Sequence, residues 1–159
     1  MTVQPIPKGY HTVTPYFSFK GAAKALAFYK KAFDAKEIIR MPGPKGTIGH
    51  AEIKIGNSII MLADEFPEMG NKSAQTLGGS PIGIMLYVEN VDVFVKRAVK
   101  AGAKLARPIK DEFYGDRMGT ITDPFGYQWH VGTHIEDVPM KEMKKRAAAK
   151  MKEFEKPKK

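Results

Sequence analysis

Hydrophobic positions in this chain fall into two rhythms, and the pair of rhythms occurs twice. In TVTPYFSF, Val13, Pro15, Phe17 and Phe19 take every second position, the period of a strand with one packed face. A helical spacing follows, with Ala25, Phe28 and Ala32 on one stripe. The runs KEIIRM, IGHAEIKI and SIIMLADE then read as three further short strands. The second half repeats this order. GIMLYV alternates at Ile84, Leu86 and Val88, a helix carries Val91, Phe94 and Ala98 on its stripe, and KLARPI, RMGTITD and YQWHVGTH follow as strands.

The two helices share residues as well as spacing. FYKKAFDAK from Phe28 and FVKRAVKAGAK from Phe94 match at Phe28/Phe94, Lys30/Lys96, Lys31/Arg97, Ala32/Ala98 and Ala35/Ala101, an offset of 66. Gly49 with Gly119 and Gly56 with Gly126, at an offset of 70, place IGN and PFGY at equivalent hairpins. The polar, glycine-rich SAQTLGGSP divides the chain near residue 80. The expected class is therefore α+β, with residues 1–138 forming one domain of two βαβββ modules, module one about 8–72 and module two about 80–138.

Residues 139–159 read as a basic C-terminal helical extension. Pro139 suits a first helical turn, and Met140, Met143, Ala147, Met151 and Phe154 form an apolar stripe between lysines. This segment changes the meaning of the net charge of +9. Positions 140–159 hold nine Lys or Arg against three Glu, so only +3 belongs to the first 139 residues. The globular part is nearly balanced, no base-reading motif is present, and nucleic acid is not an expected partner. The chain is 43% hydrophobic, enough for a core, yet no run reaches the roughly 20 apolar residues of a membrane span, and the start lacks a signal-peptide pattern. A cytoplasmic protein without membrane contact is expected. With no cysteine, any metal must be held by His, Asp or Glu.

Four segments resemble the glyoxalase, bleomycin-resistance and extradiol-dioxygenase (vicinal oxygen chelate) superfamily, in particular its PhnB-like branch. They are AFYKKAFDAKEI, GHAEIKIGNSIIMLAD, LYVENVD and, most specific, YGDRMGTITDPFGYQWHVGTHIEDV, within roughly residues 8–138. The resemblance implies a cup-shaped mixed sheet, a divalent metal on the cup floor and a homodimer. It also implies four ligand positions, which fall here on Thr14, Gly83, His130 and Ile60, or Met61 if the turn alignment shifts by one. Of these His130 alone is an ordinary metal ligand, and one imidazole is too few to hold an ion. No cofactor is therefore expected. A divalent metal remains possible on a rearranged set drawn from His50, His130, His134 and Asp64.

Strand alternation sends Thr14, Tyr16, Ser18, Met85 and Tyr87 into the cup, joined by Gln128 and His130 from the last strand and Ile60, Leu62 and Asp64 from the fourth. With His50 and Arg117 these residues make an amphipathic wall suited to a small organic ligand. Arg117, in the rim segment DEFYGDRMG, either meets an anionic substrate or pairs with Asp116 or Asp123. His50 and His130 are the candidate general bases. The expected function is small-molecule binding by a dimeric cup with a degenerate metal site. The alternative is a metal-dependent lyase, isomerase or dioxygenase of the same superfamily using rearranged ligands.

Overall fold

The apolar stripes of both halves pack into one shared core. The structure, a computed structural model, describes residues 3–154. Module one comprises β1 (Tyr16–Phe19), α1 (Ala22–Phe33), β2 (Lys36–Pro42), β3 (Ile48–Ile55) and β4 (Ser58–Asp64). A short α2 (Ala74–Leu77) lies in the SAQTLGGSP connection, where the Ser73 side chain accepts from the Thr76 amide at 3.2 Å. Module two comprises β5 (Gly83–Tyr87), α3 (Val91–Ala101), β6 (Lys104–Asp111), β7 (Asp116–Thr122) and β8 (Gln128–His134), and α4 (Met140–Phe154) follows.

The sheets have matching orders, β1-β4-β3-β2 and β5-β8-β7-β6, with β1 parallel to β4, β5 parallel to β8 and the other pairs antiparallel. Their parallel registers pair Tyr16 with Met61 and Met85 with His130, so the modules superpose at an offset of 69 along these strands. The helix starts obey the same offset. Gly21 offers α1 no side-chain cap, and Asp64 of β4 supplies one by accepting from the amides of Gly21 (2.9 Å) and Ala22 (2.8 Å). Its mate Thr133 accepts from the Val91 amide at 2.9 Å, beside the Asn90 cap of α3.

The hairpins do not superpose as the glycine spacing suggests. Ala51 pairs with Leu62 whereas Gly119 pairs with Val131, which makes Ala51 the mate of Gly119. Gly49 and Gly119 lie inside strands. At Gly119 a Cβ would come within 2.9 Å of the Ile109 side chain and 3.2 Å of the Arg107 carbonyl, so close approach of β6 requires glycine there. Gly56 and Gly126 do sit in turns, at φ +57° and +92°.

The helix sides of both sheets meet in one core. Phe33 of α1 and Phe94 of α3 stand 5.1 Å apart by ring centroids, and Trp129, fully buried, touches Phe17, Tyr29 and Phe33. Asp123 joins the modules at the centre. Its carboxylate accepts from the Tyr29 hydroxyl (2.5 Å), the Trp129 indole (2.9 Å) and the amides of Phe125 (2.9 Å) and Tyr127 (3.0 Å). Burial pushes this carboxyl above the usual aspartate range, and the four donors work against that shift.

α4 docks by charge more than by its apolar stripe. Arg146 meets Glu136 through two 2.8 Å bonds, with Met143 and Ala147 half-buried, while Met140 and Met151 are 67% and 63% exposed. The Phe154 side chain and residues 155–159 of the expected extension lie outside the described residues. No helix among the described residues is long and apolar enough to cross a membrane.

Candidate ligand-binding faces

Cross-strand partners point to the same side of a sheet, so the registers sort each strand into a core side and an open side. The open side of the first sheet carries Tyr16, Ser18, His50, Glu52 and Met61. That of the second carries Gly83, Met85, Tyr87, Asp116, Met118, Thr120, Gln128, His130 and His134. Tyr16, Met85, Tyr87, Gln128 and His130 thus stand where alternation sends them. Four expected wall residues, Ile60, Leu62, Asp64 and Arg117, do not. Ile60 and Leu62 are buried in the core, and Asp64 commits one oxygen to the α1 amides and the other to the Ile48 amide at 2.7 Å. Aligning the modules on their turns displaces β4 by one residue, whereas the parallel register with β1 makes Met61 the mate of His130.

On the first face a hydrogen-bonded chain links four side chains. The Tyr16 hydroxyl lies 3.0 Å from His50 Nδ1, and His50 Nε2 lies 3.1 Å from Glu52 Oε1. The Tyr10 hydroxyl donates to Glu52 Oε2, which clamps the N-terminal arm across the sheet. Burial raises the Glu52 carboxyl, but the bonds from Tyr10 and His50 outweigh it and hold the group below the usual glutamate range. A 480 Å³ cavity opens between arm and sheet, lined by Tyr10, His11, Thr14, Glu52 and Met61 among others. Thr14 turns its hydroxyl to the His11 carbonyl at 3.2 Å. Glu52 was legible in principle, two residues from His50 on an alternating strand. Tyr10 lies outside every periodic segment and left no signal.

On the second face His130 Nδ1 meets the Thr120 hydroxyl at 3.0 Å and borders a 310 Å³ cavity with Arg107, Tyr114 and Met118. Further along the same face, buried Asp116 of β7 accepts from the Tyr87 hydroxyl (2.8 Å) and contacts Nδ1 of His134 on β8 (2.7 Å), whose Nε2 faces Asp137 at 3.0 Å. Asp116 and then Asp137 raise the His134 pKa above 6.5. Gln128 borders a separate 390 Å³ hollow beside α2. Arg117 points to the core side of β7 and meets neither Asp116 nor Asp123. It is bound by Asp92 (2.8 and 2.9 Å) and by Asp111 (2.8 Å), leaving it occupied on the surface. A further hollow of 680 Å³ lies between the β3–β4 turn and the start of α3, bordered by Met85 and Tyr87 of the second face.

The four positions that the resemblance marks for metal are now Thr14, Met61, Gly83 and His130. A Cβ on Gly83 would sit 2.5 Å from His130 Nε2, so a side chain there cannot coexist with His130 in this orientation. This donor set does not fit a divalent ion. The rearranged set does not converge either, for Asp64 faces the core, His50 lies on the other sheet, and His130 and His134 are about 13 Å apart along β8. Among the described residues no group of three or more His, Asp or Glu is arranged to hold a metal ion.

Residues 16–131, almost the whole of both modules, match the Glyoxalase/Bleomycin resistance protein/Dioxygenase superfamily. The chain belongs to that superfamily. It is similar to the uncharacterized protein Rv0887c of Mycobacterium tuberculosis, 42% identical over 134 residues that cover 82% of this chain and 79% of the relative. Its fold is shared by the PhnB protein from Bacillus cereus (TM-score 0.61, 17% identity, 77% of this chain and 99% of that one). It is also shared by the fosfomycin resistance protein FosX from Listeria monocytogenes, solved with Mn(II) (TM-score 0.59, 18% identity, 86% of this chain and 97% of that one).

Proposed function

We propose that this superfamily member binds a small organic molecule against the open faces of its sheets, closed into a cup by a second copy, without a tightly held metal ion. The observation that carries the reading is the seating of His130 over Gly83. Gly83, one position that the resemblance marks for a metal ligand, is covered by the imidazole of His130, another, while on the first sheet Thr14 and Met61 line a cavity with hydroxyl-bearing and apolar groups. Such faces, with Tyr16 exposed on the first sheet and Met85 and Tyr87 on the second, suit a ligand with an apolar body and a few polar atoms. The strands β1 and β5 are both sheet edges, and Tyr16 and Tyr87 remain 51% and 65% exposed, which supports a partner copy over these faces. A metal-dependent lyase, isomerase or dioxygenase draws no support from the arrangement of His50, His130, His134 and Asp64.

The test is a thermal-shift and calorimetric screen of small aromatic and amphipathic compounds on protein dialysed against EDTA. The reading expects hits unaffected by EDTA, with His130→Ala weakening them by about 1 kcal/mol through one lost hydrogen bond. Binding that appears only when a divalent metal is restored would contradict it.

A further inference from the structure

The Tyr16–His50–Glu52 chain has an order that binding alone does not require. Glu52 is 8% exposed and its carboxyl is held in the ionised form, which can only accept hydrogen bonds. His50 Nε2, 3.1 Å away, must therefore carry the proton. In a neutral imidazole that choice leaves the lone pair on Nδ1, and Nδ1 faces the Tyr16 hydroxyl at 3.0 Å. Tyr16 is then the donor. A buried carboxylate fixes the imidazole tautomer, and the imidazole's free lone pair is aimed at a hydroxyl, the sequence of groups that activates hydroxyls in base-assisted catalysis. The hydroxyl-bearing residue is half-exposed on the open face, and the cavity bounded by Met61 and the N-terminal arm lies on the same face of the sheet. Tyr10 holds the second Glu52 oxygen from 42 residues away and so fixes the carboxylate plane.

We propose that Tyr16, His50 and Glu52 form a metal-free proton relay, with Tyr16 the catalytic residue for a proton shift within a small, apolar-bodied carbon or oxygen acid. In the forward step the substrate's X–H proton passes to the Tyr16 oxygen as the phenolic proton passes to His50 Nδ1. The X–H electron pair stays on the substrate, and the imidazolium is stabilised by Glu52. The reverse transfer returns the proton to a different atom of the same molecule, so no oxidant or co-reactant is consumed. Tyr10 is a positioning residue, acting through Glu52. The relay rests on the small-molecule binding proposed above and gives the first sheet a reaction.

The probe is 5-nitrobenzisoxazole, whose ring C–H proton is removed by a base as the C–H electrons complete a nitrile and the N–O bond breaks to release a coloured phenolate. Full-length protein in EDTA is expected to accelerate this elimination roughly a hundredfold over free imidazole at equal concentration. Tyr16→Phe and Glu52→Gln should each abolish most of the gain while melting as folded proteins. Nitrogen-15 NMR supplies a second readout independent of any ligand. His50 should be the Nε2–H tautomer in the wild type, and Tyr10→Phe and Glu52→Gln should weaken that preference. An Nδ1–H tautomer in the wild type, or an undiminished rate in folded Tyr16→Phe, overturns the relay. A probe that binds by calorimetry yet turns over no faster than with imidazole also overturns it, and leaves the binding proposal standing.

Discussion

Replacing Asp123 with alanine should be among the most damaging single changes available in this fold. The carboxylate accepts four hydrogen bonds, and two of the donors, the Tyr29 hydroxyl and the Trp129 indole, belong to fully buried side chains. Each buried donor left without an acceptor costs about 1–3 kcal/mol, so these two set a loss of about 4 kcal/mol, the backbone amides adding less if water reaches them. Against a total stability of about 5–15 kcal/mol this is a large fraction. For a chain of this length it lowers the melting temperature by about 8–16 °C. Asp123→Asn keeps one acceptor and removes a buried charge, and should cost about half as much. Tyr29→Phe combined with Asp123→Ala should cost less than the two single changes added, because one donor is no longer stranded. Urea unfolding followed by fluorescence of the single tryptophan, Trp129, reads the wild type and all four variants, Tyr29→Phe alone included. A loss under about 1 kcal/mol in Asp123→Ala, or strict additivity in the double variant, would refute Asp123 as the bond between modules.

Three other outcomes follow from the same geometry. Gly126→Val should destabilise by about 2 kcal/mol, since φ is +92° and the new side chain starts 3.5 Å from Ala74; unchanged melting counts against the turn. His134 gains Asp116 and Asp137 on folding and its pKa rises above 6.5, so its contribution is fully present below pH 6.5 and is lost as pH climbs through the raised value. The urea-midpoint gap between wild type and His134→Gln should therefore narrow with rising pH; a gap that widens would be inconsistent with the ion pair. Sedimentation at micromolar concentration should give a dimer, and a monomer would leave the exposed Tyr16 and Tyr87 faces uncovered.

The repeat of strand, helix and three strands was legible because both halves keep the same two hydrophobic periods. The open-face positions of β1, β5 and β8 followed from alternation next to well-defined helices. On β4 alternation alone could not help: IIMLA is apolar on both sides, so only pairing with β1 decides between Ile60 and Met61. Asp64 misled for a related reason. A polar residue ending a strand resembles a cup residue, and its actual task depends on an α1 terminus whose Gly21 start gives no cap of its own. Arg117 likewise found Asp92 and Asp111, neither predictable from its neighbours. The Glu52 clamp needed Tyr10, brought in by an arm without periodic pattern.

The central claim, binding without a tightly held metal, meets its most direct test in elemental analysis of protein purified without chelator or metal-affinity resin. The geometry at Thr14, Met61, Gly83 and His130 predicts well under one equivalent of Mn, Fe, Ni, Co or Zn per chain, with ligand binding intact. A stoichiometric ion that survives dialysis and disappears in His130→Ala would contradict the account.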